Sequence, residues 1–214
     1  MEYWNRIRNK LGRTKDLATL GFSDLIGTGI TSIFWLYLAS IIDTQGYGEL
    51  HFMLSIAGTA YIFSLLGTPT VVTVYASKNF KLESTLYFIA LLGGLLSAII
   101  IILLFSRFDV GLMVFGFIIN DLAIAYLVGK KEYSKYAKYV ITQKLFSVIL
   151  CILLYYAVGN IGIIYGLFIS YLPFTIIIYK GFKETKINFS ELKPRMGFVI
   201  NNYMMNLSGV FRNH

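Results

Sequence analysis

The chain has 214 residues, of which 57% are hydrophobic and only 14% charged, with a mean hydropathy of +0.67. A soluble domain carries about a quarter charged residues, so this composition excludes one and points to a membrane protein. The net charge of +8 is dispersed between apolar runs rather than gathered on one folded face, so no nucleic-acid partner is expected.

Six apolar runs follow one another, at about residues 17–42, 49–67, 82–105, 110–128, 139–158 and 161–179. Each is near the ~20 residues that a helix needs to cross a hydrocarbon core. A seventh run, from Gly197, reaches the end of the sequence. No period of two suggests a barrel, so the spans are predicted to be helices. The fold class expected is all-α: a polytopic bundle of six transmembrane helices plus the start of a seventh. Residues 1–196 form the six-helix lobe and residues 197–214 the truncated start of the next helix.

Taken in chain order, Arg6, Arg8, Lys10, Arg13 and Lys15 precede the first span. That span is too long for a signal peptide and contains Asp24, so it is read as a retained helix. The first outer connection holds Gly46-Tyr47-Gly48 after Asp43, a pair of glycines suited to a tight turn with positive φ. Residues 68–81, after the second span, and residues 129–144, before the fifth, mix apolar and basic positions. They are predicted to be amphipathic interfacial helices or helix extensions. Gly58, Gly93, Gly94, Gly116, Gly162 and Gly166 mark places where helices can approach closely. Pro173 should kink the sixth helix.

The basic residues follow the even-numbered gaps: Lys78 and Lys81, then Lys130 to Lys144, then Lys180 to Arg195. Arg107 alone falls on the opposite side, and Arg212 lies near the end. Because cytoplasmic loops retain Lys and Arg, the expected localisation is a multi-pass protein of the cell membrane with its N-terminus in the cytoplasm, in contact with anionic membrane lipids. The sequon at Asn188 to Ser190 then lies inside and is not expected to be glycosylated.

Little in the chain suggests covalent chemistry. The single Cys151 lies within the fifth span and reads as a packed thiol. The two histidines, His51 and His214, form no metal-ligand cluster, and Gly27-Thr28-Gly29 lacks the lysine of a phosphate-binding loop. No enzyme activity, cofactor or metal is expected.

Two carboxylates lie inside spans, where a charge costs about 2.5–3.5 kcal/mol even on lenient scales. Asp24 and Asp121 sit at similar depth, roughly 10–12 Å from the basic edge at 1.5 Å per residue. Asp24 belongs to a stripe with Gly21, Thr28, Thr31 and Trp35, and Asp121 follows Asn120 and Gly116. Asp24, Thr28, Thr31, Asn120 and Asp121 are the candidates for a water-filled cavity or a coupling-ion site. The alternative is a structural hydrogen bond to a neighbouring helix. No basic residue is expected at their depth.

The run from Ile41 to Leu50, IIDTQGYGEL, and the run from Ile62 to Asn79, IFSLLGTPTVVTVYASKN, together with the basic segment before the fifth span, resemble the N-terminal half of polysaccharide-biosynthesis flippases. These are the O-antigen-transporter-like branch of the multidrug/oligosaccharidyl-lipid/polysaccharide exporter superfamily. Tyr47-Gly48 matches an element common in their first loop. The resemblance implies one lobe of a two-lobe transporter, whose missing C-terminal lobe is its partner. Its substrate would be a lipid-linked oligosaccharide, moved across the cytoplasmic membrane by alternating access. The family's cavity is often cationic, which suits a pyrophosphate-linked substrate, whereas the intramembrane charges read here are acidic. Two alternatives stay open: a cation or drug antiporter of the same superfamily, and a membrane assembly subunit that does not itself transport.

Overall fold

A computed structural model describes the backbone of residues 2–212 and the side chains of residues 16 and 18–205. Among these, every regular element is helical: α1 (Glu2–Ile41), α2 (Thr44–Leu65), α3 (Thr68–Ser77), α4 (Glu83–Phe105), α5 (Phe108–Gly129), α6 (Tyr133–Val158), α7 (Asn160–Tyr171), α8 (Thr175–Glu184), α9 (Phe189–Leu192) and α10 (Met196–Arg212). Short 3-10 turns at Leu172–Phe174 and Lys193–Arg195 join α7 to α8 and α9 to α10.

Five stretches are long and apolar enough to cross a membrane: Ala18–Ile41 of α1, then α4, α5, α6 and Asn160–Glu184. The pair α2 and α3 passes the same test only when taken together, and it bends by 48° at its break. Leu66 (φ 49°) and Gly67 (φ 74°) make that break in the left-handed region. Gly67 is suited to it twice over, because a Cβ there would also lie 2.8 Å from the backbone nitrogen of Tyr203 on α10. Pro69 then starts α3, where a missing N–H leaves no helical bond unmade.

The helix α5 is the axis of the bundle. It packs on α2, α3, α4, α7 and α8, and 67% of its apolar window is buried, against 17% for α1. The N-terminal helix packs mainly on α6, and Phe22, Leu25, Ile33 and Leu36 on its other side stay exposed, as lipid-facing residues would. Small residues set the closest approaches. A Cβ on Gly166 of α7 would lie 2.7 Å from Cys151 Cα on α6, and one on Gly93 of α4 would lie 2.7 Å from the Ser64 carbonyl oxygen on α2. Gly58, expected at such a contact, has no atom within 4 Å of its missing Cβ.

Both ends of the bundle are tied by charge. At one end Arg107 pairs with Asp109 at 2.9 Å and Glu49 at 3.0 Å. At the other, Lys130 bridges Glu83 of α4 (3.3 Å) and Glu184 of α8 (3.2 Å), and Tyr126 donates to Glu184 at 2.7 Å. The Ser84 backbone N–H there donates to Thr185 Oγ1 at 2.9 Å, and the Asn188 N–H to Thr85 Oγ1 at 2.8 Å.

One expectation needs correction, and two are made specific. Gly46-Tyr47-Gly48 is not a positive-φ turn; it forms the first turns of α2, because the Asp43 carboxylate caps the helix by accepting from the Gly46 N–H at 2.9 Å. Of the two forms expected for residues 129–144, the helix extension is the one found: α6 starts at Tyr133 and runs unbroken to Val158. Pro173 interrupts the sixth span as expected, through a 3-10 turn between α7 and α8. The expected seventh helix corresponds to α10; its side chains from residue 206 onward, and residues 213 and 214 altogether, lie outside the described residues.

Candidate functional site

Helices α1 and α6 lie side by side and run in the same direction. Asp24 faces Tyr136 near one end, and Tyr37 meets Tyr156, hydroxyl to hydroxyl at 3.0 Å, towards the other. Their approach requires Gly27, whose Cβ would lie 2.9 Å from Val140 Cγ1. Between α1, α5 and α6 an open cleft of about 340 Å³ is left, its α1 wall formed by Asp24, Thr28, Thr31, Ser32 and Trp35. Asn120 and Ile124 come from α5; Tyr136, Tyr139, Gln143 and Lys144 come from α6. A second chamber of about 170 Å³ shares Thr31, Trp35, Gln143 and Lys144 with the cleft and continues towards Met113 and Tyr171.

Of the residues singled out in the sequence, Asp24, Thr28, Thr31 and Asn120 share this cleft, while Asp121 does not line it. The two carboxylates are held separately. Asp24 Oδ1 accepts from the Tyr136 hydroxyl. Asp121 Oδ1 accepts from Asn120 Nδ2 at 3.0 Å. Tyr139 closes the series by donating to Asn120 Oδ1 at 2.9 Å. Hydrogen-bonded side chains therefore join α1 to α6 and α6 to α5. Thr31 spends its hydroxyl on the Gly27 carbonyl at 2.8 Å, a bond within its own helix.

One group in the cleft contradicts the sequence reading. Lys144 is half-buried and lines both chambers, so a basic residue does enter the region of the carboxylates. The reason is the early start of α6: counted from Tyr133, Lys144 stands about three turns inside the helix. It makes no ion pair among the described residues. Gln143 beside it donates to Ser170 Oγ of α7 at 3.2 Å. The signal for these residues was present: Tyr136, Tyr139, Gln143 and Ser147 recur at helical spacing as a polar stripe like that on α1.

Above the cleft, Trp35 sits in an aromatic group. Its ring centroid lies 5.2 Å from Phe34, 4.7 Å from His51 and 6.4 Å from Tyr47. His51, which carried no role in the sequence, is thereby a packing partner of a cleft residue, and its Nε2 is buried without a hydrogen bond. Among the described residues no cluster of His, Cys, Asp and Glu can hold a metal ion.

The cleft is open, with mostly apolar walls that carry one carboxylate, one ammonium and several hydroxyls, which equips it to bind a solute with polar groups at a depth where α1 and α6 would be in the membrane. No protein-family model, curated protein or solved structure matches the chain.

Proposed function

We propose that this chain is the N-terminal lobe of a flippase that carries a lipid-linked oligosaccharide from the cytoplasmic to the outer leaflet by alternating access. The observation that carries the reading is Lys144, a half-buried cation without an ionic partner among the described residues, in a cleft that opens beside α1. A spare ammonium within a span is costly to hold and is suited to the phosphate of a lipid carrier. The sparse packing of α1 agrees with a second lobe, or lipid, covering its other side. The orientation proposed has the N-terminus and the Lys130 end in the cytoplasm, by the positive-inside rule. Asp24 favours a second reading, a cation antiporter of the same superfamily, because its carboxylate also lines the cleft.

Deletion of the gene in its own organism tests the proposal. A flippase predicts that lipid-linked saccharide accumulates in the inner leaflet and that surface polysaccharide is lost. If both stay at wild-type levels while tolerance to cationic drugs or sodium falls, the antiporter reading replaces it.

A further inference from the structure

We propose that the indole of Trp35 is the platform on which a sugar ring of the cargo stacks, with the hydroxyls of Thr28 and Ser32 binding the ring's own hydroxyls. The inference rests on the flippase reading and adds the part of the substrate that this wall of the cleft recognises.

Three observations lead to it. The first is position. Trp35 lines both the open cleft and the inner chamber, so a solute passing between them meets its ring. Thr28 and Ser32 precede it on the same wall, with Thr28 about 10 Å away along the helix.

The second is rigidity. Phe34, Tyr47 and His51 pack around the indole with centroids 4.7–6.4 Å away, so the ring is held in one orientation before any ligand arrives. Such preorganisation spares a ligand the entropy of ordering its platform.

The third is the set of spare polar groups. The indole N–H of Trp35, the hydroxyls of Thr28 and Ser32 and the ammonium of Lys144 make no hydrogen bond among the described residues, although all four residues line the cleft. Polar groups within a span require a partner, either water or a ligand.

These features select among ligand classes. An apolar drug would leave the four donors unsatisfied. A small cation needs several oxygen ligands, and the one carboxylate in the cleft already accepts from Tyr136. A pyranose ring offers what the wall lacks: a C–H face that packs on an aromatic ring and a rim of hydroxyls for the flanking groups. Lys144, on the facing helix, is left for a phosphate.

The test uses the two-tryptophan content of the chain, since Trp4→Phe leaves Trp35 as the sole tryptophan. The full chain in nanodiscs is titrated with farnesyl diphosphate and with farnesyl diphosphates bearing glucose, galactose or N-acetylglucosamine; affinities of the parent and of every variant are read by isothermal titration calorimetry, and Trp35 emission is followed in those that keep the indole. The expected result is that at least one sugar-bearing lipid shifts Trp35 emission and binds more tightly than the sugarless lipid. Trp35→Leu should weaken that lipid by about 3- to 10-fold and leave farnesyl diphosphate unchanged, the size expected of one aromatic stacking contact. Trp35→Phe should restore part of the loss. Thr28→Val, at an exposed position with no protein hydrogen bond, guards against misfolding of the tryptophan variants and should lower only sugar-dependent affinity. Sugar-bearing lipids that bind Trp35→Leu as well as they bind the parent overturn the platform and leave the flippase reading standing. Failure of every lipid diphosphate to bind overturns both.

Discussion

The Tyr136 hydroxyl donates to the Asp24 carboxylate across 112 residues of sequence, and this bond joins α6 to α1 at the mouth of the cleft. Polar pairs between membrane helices average about 0.6 kcal/mol, with a maximum of about 1.7 kcal/mol. A double-mutant cycle of Tyr136→Phe and Asp24→Ala, read by unfolding in detergent, should give a coupling of about 0.5–1.5 kcal/mol within those bounds. Additive effects of the two changes would mean that the contact contributes nothing.

Lys144 gives the opposite expectation. Removing a half-buried charge that has no ionic partner among the described residues relieves desolvation and breaks no ion pair there. Lys144→Met should therefore keep or raise the unfolding temperature while abolishing any function that needs an anion in the cleft. A clear drop in unfolding temperature would reveal a partner for the ammonium.

Glycines at contact and non-contact positions should separate cleanly. Gly166→Ala puts a methyl 2.7 Å from Cys151 Cα, a backbone atom that cannot step aside, and overpacking of this kind costs about 1–3 kcal/mol. Gly58→Ala meets nothing and should be neutral or stabilising by up to about 1 kcal/mol through helix propensity. Thermal unfolding of the two variants side by side checks both; equal effects would contradict the α6–α7 contact.

At the opposite end from Arg107, burial works against the Lys130 ammonium, yet its bonds to Glu184 and Glu83 outweigh this and raise its pKa above the ordinary 10.5. A raised pKa in the folded state means a contribution that is complete below 10.5 and fades as pH climbs through the folded value. The clasp should accordingly be insensitive to pH across the neutral range and loosen only in strong alkali. Lys130→Met should lower stability at neutral pH and flatten the alkaline limb of the stability profile. An unchanged limb would assign it to other groups.

Orientation is open to labelling in intact cells. With Cys151 buried and inert, a cysteine replacing Ser106 should react with an impermeant maleimide added outside, and one replacing Lys135 only after permeabilisation. The reverse pattern would invert the proposed topology.

The long apolar helices were legible because hydropathy over twenty residues averages out local detail. Places where a single side chain decides the outcome were not. Gly46 and Gly48 read as a turn, but Asp43 caps a helix through them. Lys144 was placed at the basic edge because the charges from Lys130 to Lys144 merge into one segment; the backbone break at Lys131 (φ 59°) shows that α6 begins before most of them. Tyr136 and Tyr139 were not singled out in the sequence, since ring and hydroxyl point to opposite conclusions until a partner such as Asp24 or Asn120 is in place. Asp24, Thr28 and Thr31 could be grouped from helical spacing alone, whereas the position of Asp121 relative to them depends on how α5 is rotated.

The bonds from Thr185 and Asn188 to the start of α4 carry a consequence for biogenesis. Ser84 leaves the ribosome 101 residues ahead of Thr185, a delay of about 5–20 s at ordinary synthesis rates. Throughout that interval the amino end of α4 has neither its hydroxyl partner nor the second carboxylate that shares Lys130 with Glu83. A nascent chain halted before Glu184 would hold its Lys130–Glu83 pair without the second carboxylate and without the Thr185 hydroxyl that close this end of the finished bundle.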